Sequence, residues 1–434
     1  MPGVPGPYRA APGITSSSAP HSESLSRRVG GSRQVRYSAA SGALAAVEKV
    51  VPGVDYRTFT VSTSHGDTRV HLLTIDLGWP GVRAGLLHPG AVSKRDTVSR
   101  MARERGAVAA INGDFFNISE AQHHGVEVTY AASGPAVASG QPIKAAVPEG
   151  QRFGLSPPRG STTEDVIGVG QDGVARTGRL TLEGHVQSPH GRMPLRGLNQ
   201  YALPVGSVGM FTSQWGRVSR ARAVCGTDER RGAPCSQDTY EVTVRDGFVR
   251  SGSPTPGTGS IAPGERVLVG REAGARLLRN LVPGTPVTID YRLAPLGSGG
   301  AFDFALGGQV LLRDHRAAVG LDSVTAQPRS AAGIADGGRT LRLLSTDGRE
   351  GRSSGLTVDE LARLLAQLNC SDGVNLDGGA SATLVTRDSA SGHLRVRNHL
   401  AGGLERLVPN GIAITSNCTV SAPQRRCAIR AGRR

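Results

Sequence analysis

The chain contains 434 residues with a formal net charge of +15, and it is rich in Gly (60) and Pro (26) but poor in aromatic residues (4%). Its length allows one large domain or two ordinary ones, each with a core that needs no metal or disulfide support. The composition argues against a helical bundle, and no segment approaches the ~18 consecutive apolar residues of a membrane-spanning helix.

Arginine carries nearly all of the positive charge, since Lys49, Lys94 and Lys144 are the only lysines. A basic surface favours anionic partners such as cell-wall polymers, nucleic acids or anionic lipids, although codon bias toward arginine explains the same composition without a partner. We predict no nucleic-acid partner, because the sequence shows neither a basic run interleaved with aromatics nor the signature of a nucleic-acid-binding module.

The composition divides the chain into three parts. Residues 1–42 are rich in Pro, Gly, Ser and Arg and predict a disordered basic leader, without the apolar segment of a secretion signal. Residues 43–421 contain no long linker and predict a single large domain, and residues 422–434 form a short basic tail. We expect a mixed α+β domain of strand-rich and loop-rich architecture, in which a few helices pack on a mixed sheet.

The first informative element is the segment RDTVSRMARERG at residues 95–106, which predicts a helix closed by Gly106. The apolar run AVAAI at residues 107–111 then predicts a buried strand, and the polar motif NGDFF follows directly at residues 112–116. Asn112 and Asp114 are therefore expected at the exit of a buried strand.

Residues 150–300 form a section of short strand-like runs separated by Gly and Pro. Clear examples are YEVTVRDGFV at 240–249, ERVLVG at 265–270 and TPVTIDYRL at 285–293. The RDG within the first of these predicts a hairpin turn.

A second helix is marked by LTVDELARLLAQLN at residues 356–369. Thr357 and Glu360 predict a capping box, and the apolar residues recur at helical spacing. The strand-like segment GVNLDGG follows at residues 373–379 and ends at two glycines. This repeats the order of the first site: a helix, a short strand, and then Asn, Asp and Gly.

The two strand exits supply the best candidates for acid–base chemistry, Asp114 and Asp377. A carboxyl at the end of a buried strand loses part of its hydration, which raises its pKa toward the range of a general acid. The amides of Asn112 and Asn375 both donate and accept hydrogen bonds, which suits sugar hydroxyls. The alternative is that these residues cap turns by bonding to local backbone N–H groups.

The five cysteines fall into two close pairs and one single residue. No C-x-x-C spacing is present, which argues against zinc and thioredoxin-type sites. We predict the disulfides Cys225–Cys235 and Cys418–Cys427 and a buried thiol at Cys370, a pattern typical of a secreted or cell-wall-associated protein.

Two further residues have both a functional and an ordinary interpretation. Arg329 precedes the small-residue segment SAAGIA and suits a phosphate or carboxylate as a planar fork, although an ordinary surface arginine is the simpler interpretation. His123 lies shortly after NGDFF and suits a substrate contact, although a polar loop residue is the simpler interpretation.

Five segments resemble the phosphodiester glycosidase family, in the order in which that family carries them. They are INGDFF at 111–116, LGGQVLL at 306–312, RSAAGIA at 329–335, the block DGREGRSSGLTVDELARLL with GVNLDGGASATLV between 347 and 385, and VRNHLAGGLERLVPNGIAI at 396–414. The fourth is the most diagnostic, and the resemblance extends over about residues 60–416.

The resemblance implies a secreted glycosidase that cleaves the anomeric C–O bond of a glycoside. The implied substrate is a carbohydrate: a sugar 1-phosphodiester of the N-acetylglucosamine type, or a cell-wall or exopolysaccharide glycan. Asp377 is the first-choice catalytic carboxylate with Asp114 as its partner, and Arg329 would stabilise the charge of a leaving phosphate. The candidate substrate-binding residues are Asn112, Gly113, His123, Gly307, Gly308, Arg349, Asn375, Gly378, Gly379, Ser381 and Asn410. We expect no metal or other cofactor, and a monomer.

Two departures from the family pattern bear on the substrate. Ala380 replaces a glycine common in the family's D-G-G-G-S motif, and Ser330 replaces the usual threonine. Ala380 narrows the approach of the backbone to a ligand, so the alternative function is a non-catalytic binder of anionic cell-wall glycans. That alternative draws on the charge of +15 and predicts binding with a steep salt dependence and no turnover.

Overall fold

Strands dominate the computed structural model of the chain, which describes residues 47–63, 65–296, 300–347, 353–388, 391–419 and 426–427. For residues 418, 419, 426 and 427 it describes the backbone alone. Every described residue lies within one structural unit, Val35–Arg434. The leader expected at 1–42 and most of the basic tail lie outside the described residues, so these two assignments stay predictions.

The described residues form 26 strands, numbered here in chain order. The first nine are β1 (Glu48–Val51), β2 (Val54–Thr63), β3 (Gly66–Asp76), β4 (Val82–Leu87), β5 (Ala109–Asn112), β6 (Ala136–Ala138), β7 (Gln141–Lys144), β8 (Asp165–Gly170) and β9 (Ala175–Ser188). The next eight are β10 (Gly191–Leu198), β11 (Val208–Phe211), β12 (Thr239–Arg245), β13 (Phe248–Ser253), β14 (Arg266–Arg271), β15 (Thr288–Pro295), β16 (Phe302–Gly307) and β17 (Gln309–Arg313). The last nine are β18 (Arg316–Ala317), β19 (Ser330–Ala335), β20 (Thr340–Thr346), β21 (Asp372–Leu376), β22 (Leu384–Arg387), β23 (Leu394–Val396), β24 (Gly411–Ser416), β25 (Cys418–Thr419) and β26 (Arg426–Cys427).

Helices are few in the described part of the chain. The α-helices there are α1 (Val98–Glu104), α2 (Ala273–Arg279) and α3 (Val358–Gln367). Short 3-10 turns occupy Glu149–Gln151, Arg220–Val224, Asp336–Gly338 and Gly379–Ser381. None of the described helices is long and apolar enough to cross a membrane.

The strands form three large sheets and a β25–β26 ribbon. The first sheet has the order β1-β2-β3-β20-β19-β21-β17-β18, and the third has the order β23-β22-β5-β24-β4. The second has the order β13-β12-β14-β11-β10-β9-β8-β16-β6-β7, with β15 also paired to β9. It is a mixed sheet because β10 and β11 run parallel. This strand-rich α+β architecture confirms the expected fold class.

The helix α3 packs on β17, β18 and β21 of the first sheet. It begins at Thr357, whose hydroxyl accepts from the Glu360 N–H at 3.1 Å while the Glu360 carboxylate accepts from the Thr357 N–H at 2.9 Å, so the predicted capping box is confirmed. The helix lies close to β19, because a Cβ on Gly333 would come within 3.2 Å of Leu365 Cδ2. This packing holds β21, the strand that leads into Asp377.

The helix α1 packs on the third sheet and precedes β5. Thr97 caps it by accepting from the Arg100 N–H at 3.2 Å, and Gly106 with a φ of +67° follows its end, so the predicted helix is confirmed. The strand β5 lies between β22 and β24 and is buried at every residue. Asn112 is therefore the last residue of a buried strand.

The hairpin and one of the two disulfides are also confirmed. The strands β12 and β13 pair antiparallel around Asp246 and Gly247, whose φ angles are 52° and 74°. Cys225 and Cys235 are bonded, with Cα atoms 3.7 Å apart, below the ~4.4–6.8 Å that is usual. The side chains of the second pair lie outside the description, although residues 418 and 427 are directly opposite in the β25–β26 ribbon. Cys370 is a buried free thiol whose pKa burial raises to about 11.

Candidate active site

The two strand-exit motifs meet through their backbones. The N–H of Asp377 donates to the carbonyl oxygen of Gly113 at 2.8 Å, which joins the ends of β21 and β5. The Nδ2 of Asn112 donates to the Asp377 carbonyl oxygen at 2.6 Å, and its Oδ1 accepts from the Ser330 hydroxyl at 2.7 Å and from the Thr383 N–H at 3.1 Å. Because Asn112 is fully buried, its amide positions Asp377 and does not face a sugar hydroxyl.

The Asp377 carboxyl is a titrating group of the kind that catalysis needs. It stands directly after β21 and is partly buried, and the loss of hydration raises its pKa to about 6. The Ser381 hydroxyl and the Arg406 guanidinium lower this pKa, whereas the charge of Asp114 raises it. A carboxyl with such a pKa changes protonation in mildly acidic solution, which suits either a general acid or a general base.

The turn after Asp377 is built on close backbone contacts. The N–H of Gly379 donates to the Pro328 carbonyl oxygen at 2.8 Å, and a Cβ on Gly378 would lie 2.7 Å from that oxygen. The buried hydroxyl of Ser381 lies beside the Asp377 carboxyl and has no aligned hydrogen-bond partner among the described residues. The two glycines thus let the turn pack against the segment just before β19, and the Ser381 hydroxyl keeps hydrogen-bonding capacity for a substrate.

Asp114 is buried and fixed from two sides. Its backbone N–H donates to Asn410 Oδ1 at 2.9 Å, and its Oδ2 accepts from the Gly134 N–H at 2.6 Å. Loss of hydration raises its pKa, and the charges of Arg152 and Lys144 together with the Gly134 hydrogen bond oppose that rise. Asp114 therefore sits in a buried cluster with two cations.

The two cations have different hydrogen bonding. Lys144 donates to the Ala145 carbonyl oxygen at 2.6 Å and to two further carbonyls, and burial lowers its pKa to about 7 although Asp114 raises it. Arg152 is also buried, and its Nε and Nη2 have no hydrogen-bond partner among the described residues. Buried guanidinium donors of this kind are satisfied by an anionic or hydroxyl group of a ligand.

Close packing around Asp114 explains two of the candidate glycine positions, Gly113 and Gly307. A Cβ on Gly307 would lie 2.6 Å from Asp114 Oδ2, and a Cβ on Gly134 would lie 2.6 Å from the Gly307 Cα. A Cβ on Gly113 would lie 2.3 Å from Asn410 Oδ1. Packing against the Asp114 carboxyl and against Asn410 sets the positions of these backbones. Gly113 and Gly307 were expected to bind substrate.

Arg329 does not offer a fork to a ligand, which corrects the expectation from the sequence. Its side chain is 1% exposed, its Nε donates to the Leu356 carbonyl oxygen at 2.9 Å and its Nη2 donates to the Thr325 carbonyl oxygen at 2.6 Å. Burial lowers its pKa to about 10, although Asp322 and Glu360 raise it. The guanidinium holds the start of β19 against the segment before α3, and its Nε and Nη2 donors are engaged there.

His123 is corrected in the same way. The ring is buried, with its Nδ1 2.7 Å from Glu120 Oε2 and its Nε2 2.9 Å from the Ala233 carbonyl oxygen. Glu120 also pairs with the buried Arg222. Both ring nitrogens of His123 therefore belong to an internal polar network, which leaves no atom for a substrate hydrogen bond.

The remaining candidates divide between the neighbourhood of β21 and the part of the chain that is not described. Asn375 is fully buried and donates from Nδ2 to Gln309 Oε1 at 3.0 Å, and its Oδ1 has no hydrogen-bond partner among the described residues. A Cβ on Gly308 would lie 2.9 Å from the Val374 Cβ, so this glycine is also set by packing. Arg349 lies outside the described residues.

Three cations of the site were not predicted from the sequence. Lys144 could have been noticed in the sequence because lysine is rare in this chain, which has three. Arg406 could have been noticed as well, because it lies in the last of the family-like segments. Arg152 could not, because nothing local separates it from the other arginines.

The site is defined by chemistry and not by cleft size. A cleft of about 770 Å³ is lined by residues such as Ala145, Leu182 and Leu277 and includes neither Asp114 nor Asp377. Within the described residues no group of three His, Cys, Asp or Glu side chains is arranged to hold a metal ion.

Comparison with known protein families gives one match. Residues 238–415 match the model of the phosphodiester glycosidase family. Asp377 and Arg406 lie within this range, whereas Asn112, Asp114, Lys144 and Arg152 lie before it. Comparison with curated proteins gave no significant match.

The solved structures that are similar to the chain include the following three. A hypothetical protein from Synechocystis has a TM-score of 0.66 and 21% identity, over 87% of this chain and 64% of that one. A protein from Burkholderia pseudomallei K96243 has a TM-score of 0.60 and 24% identity, over 81% of this chain and 74% of that one. The catalytic domain of zebrafish N-acetylglucosamine-1-phosphodiester alpha-N-acetylglucosaminidase has a TM-score of 0.41 and 14% identity, over 88% and 87%.

The first two likenesses establish the fold alone, and the chain covers less than two thirds of the length of the Synechocystis protein. The family match covers less than half of the chain, and it contains the block that is most diagnostic in the sequence. It confirms the resemblance for the four family-like segments that lie within residues 238–415, whereas INGDFF at 111–116 lies outside the matched range.

Proposed function

We propose that the protein is a glycoside hydrolase that cleaves the anomeric C–O bond of a sugar 1-phosphodiester. The sugar is of the N-acetylglucosamine type, or belongs to a cell-wall or exopolysaccharide glycan. The observation that supports this most is Asp377, a strand-exit carboxyl with a pKa of about 6 inside the family-matched range. The Cys225–Cys235 disulfide supports action outside the cytoplasm.

Asp377 is the reacting carboxyl in this proposal. Glycoside hydrolysis needs assistance to the leaving oxygen and either a nucleophile at C1 or a base that activates water. A phosphodiester leaves as a stable anion, so its oxygen needs little protonation. Above a pH of about 6 Asp377 is ionised and is available for the second task, as nucleophile or as the acceptor of the water proton.

Arg406 is the cation that we assign to the leaving phosphate, in place of Arg329. It is partly buried, its charge lowers the pKa of Asp377, and it forms no ion pair with another described residue. A guanidinium binds a phosphate through paired, charge-assisted hydrogen bonds, which stabilise the negative charge as it develops.

The neighbouring groups support the reacting carboxyl. Asn112 positions the Asp377 backbone, and the Ser381 hydroxyl is the candidate contact for a sugar hydroxyl. Asp114 acts electrostatically, because its charge raises the pKa of Asp377. Arg152 keeps unpaired donors beside Asp114 and is a further candidate for an oxygen of the substrate.

A non-catalytic binder of anionic glycans is the second candidate function. Its support is the net charge of +15 and the departure at Ala380, which lies in the turn after Asp377. This candidate predicts binding that weakens steeply as salt is added, without release of sugar.

The test is to incubate the protein with an N-acetylglucosamine 1-phosphodiester and with aryl α- and β-N-acetylglucosaminides, and to measure the released sugar. Release by the wild type but not by Asp377→Asn supports the proposal. Salt-sensitive binding of an anionic glycan with no release from any of these substrates would favour the binder.

A further inference from the structure

A second concentration of charge lies on the first sheet, in a cleft that does not include Asp377. The cleft has a volume of about 600 Å³, and β2, β3 and the segment around β23 supply its walls. Its basic side chains are those of Arg57, Arg69, His71, Arg395, Arg397 and His399. Its carboxylates are those of Glu48 and Asp347.

Both carboxylates are already paired within the cleft. The Nη1 of Arg397 donates to Glu48 Oε2 at 2.8 Å. Asp347 Oδ1 lies 2.7 Å from the His71 Nε2 and accepts from the His399 N–H at 2.7 Å. Glu48 is thus paired with a guanidinium, and Asp347 is held by an imidazole ring and a backbone N–H.

A hydrogen-bonded chain fixes the floor of the cleft. The Tyr56 hydroxyl lies 2.7 Å from the His71 Nδ1, and the other ring nitrogen meets Asp347 as described above. Tyr56 and His71 are both buried. The site is therefore preorganised, with Asp347 unable to swing toward the remaining arginines without losing this chain.

Two arginines of the cleft, Arg57 and Arg69, form no ion pair within the described part of the chain, and a third is only loosely paired. Arg57 lies over the Phe59 ring at 5.6 Å, and its buried Nε has no hydrogen-bond partner among the described residues. Arg69 is exposed and forms no ion pair within the described part of the chain. Arg395 is exposed and reaches one carboxylate at 3.5 Å. A buried donor without a partner points to an acceptor supplied by a ligand.

The cleft adjoins the catalytic turn through Asn398. This residue lines the cleft, its Nδ2 donates to the Ala382 carbonyl oxygen at 2.9 Å, and its Oδ1 accepts from the Leu384 N–H at 2.8 Å. The segment that follows Ser381 is thus hydrogen-bonded to a residue that lines the cleft with the arginines.

We propose that this cleft binds a phosphate-type oxyanion carried by the glycan substrate, through Arg57, Arg69 and Arg395. The inference rests on the proposed function for the identity of the glycan. Guanidinium groups match the geometry of phosphate oxygens, and the volume of the cleft accommodates a phosphorylated sugar. The cleft would hold a charged part of the substrate while a bond near Asp377 is cleaved.

The test is calorimetric titration of the full chain with glucose 6-phosphate, inorganic phosphate and glucose. We expect the two phosphates to bind and glucose not to bind. Arg57→Gln combined with Arg69→Gln should weaken phosphate binding roughly ten- to a hundredfold, since each hydrogen bond to a charged group contributes strongly. Arg395→Gln, at an exposed position, gives a second variant that does not endanger the fold, and it should weaken binding in the same direction.

The matched control is Arg192→Gln, an exposed arginine of β10 outside the cleft, which should leave phosphate binding unchanged. Equal weakening in Arg192→Gln and in the cleft variants would overturn the proposal, as would the absence of phosphate binding. Binding to phosphatidylserine vesicles without binding to glucose 6-phosphate would overturn the glycan assignment. The two proposals can fail separately. If the wild type binds phosphate but releases no sugar from any substrate, the proposed function is refuted and the proposal for the cleft stands. Asp377→Asn should still bind phosphate, because Asp377 does not line the cleft.

Discussion

The backbone N–H of Asp377 donates to the carbonyl oxygen of Gly113 at 2.8 Å, and this bond joins the first sheet to the third. Its two partners come from segments that are distant in the chain, and the family model covers one of them. The position of the Asp377 carboxyl therefore depends on the packing of both sheets. This coupling explains why each strand exit carries the same polar pattern: one supplies the reactive group and the other supplies its anchor.

Asp377→Asn should abolish most of the turnover of a sugar 1-phosphodiester while the fold survives. The amide keeps the shape of the carboxyl but neither attacks C1 nor accepts a proton. The expected loss in kcat is ~10²–10⁴-fold for a general base and larger for a nucleophile. Steady-state kinetics on a preparation with a cooperative melting transition measure it, and a normal kcat in that preparation would remove Asp377 from the mechanism.

The same substitution should raise the melting temperature at neutral pH. The pKa of Asp377 rises from 3.8 to about 6 on folding, so the native state binds more protons than the unfolded state between these values, and stability falls as pH increases through this window. Above this window the ionised Asp377 lowers the free energy of unfolding by its full amount. The pKa shift sets an upper limit of about 3 kcal/mol, and partial exposure of the carboxyl reduces the effect. Asp377→Asn should thus melt above the wild type at pH 7.5, and the two curves should converge below a pH of about 4.

A further prediction concerns the pH dependence of catalysis. If Asp377 reacts in its ionised form, kcat/KM for a phosphodiester should rise with pH through an apparent pKa of about 6 and then level off. If kcat/KM instead falls as pH rises through the same value, Asp377 acts as a proton donor to the leaving group. The measurement is a pH profile at constant ionic strength, and a profile that is flat between about pH 4.5 and 7.5 would contradict both assignments.

Local features of this protein could be predicted from the sequence because their physics is local. The capping box of Thr357 and Glu360 and the positive-φ hairpin turn at Asp246–Gly247 each depend on a few neighbouring residues. The strand exits at Asn112 and Asp377 could be predicted as well, since an apolar run that stops at Asn, Asp and Gly marks the end of a buried strand.

The partners across the fold could not be predicted in this way. Arg329 reads as a ligand fork in sequence, yet its donors bond to the carbonyls of Thr325 and Leu356. The cluster of Lys144 and Arg152 around Asp114 forms because the segments that carry them converge in three dimensions. A single sequence contains no period or spacing that encodes such convergence.

Gly307→Ala should disturb Asp114 and reduce both stability and activity. The new Cβ would lie 2.6 Å from Asp114 Oδ2 and 2.7 Å from the Gly134 Cα, so the carboxyl or the backbone must move. Overpacking of this kind costs about 1–3 kcal/mol. Thermal unfolding and kcat measure the effect.

The control for that substitution is Gly178→Ala on β9, where the nearest atom to the new Cβ is a Phe302 ring carbon at 3.5 Å, an ordinary contact. This variant should retain nearly the stability and activity of the wild type. Equal behaviour of the two alanine variants would show that the close approach of Gly307 to Asp114 is not important.

Removal of the Cys225–Cys235 disulfide should destabilise the protein without changing its chemistry. The bond closes a loop with a sequence separation of 10, for which chain entropy predicts about 3 kcal/mol. Cys225→Ser combined with Cys235→Ser should therefore unfold at a lower temperature with an unchanged kcat. Cys370→Ala is the contrasting variant, because it keeps the disulfide: a reductant should still lower its melting temperature, whereas the double serine variant should not respond to the reductant.

Arg406→Gln should affect substrates according to the charge of their leaving group. If the guanidinium stabilises the departing phosphate, its loss should lower kcat/KM for a sugar 1-phosphodiester by about 10²–10³-fold, the magnitude typical of one lost donor to a developing anion. An aryl glycoside of the same sugar presents no phosphate, so its turnover should fall far less. Arg406 also lowers the pKa of Asp377, and the apparent pKa in the pH profile should rise in the variant for both substrates. A uniform loss for both substrates with an unshifted profile would indicate that Arg406 supports the fold and does not meet the phosphate.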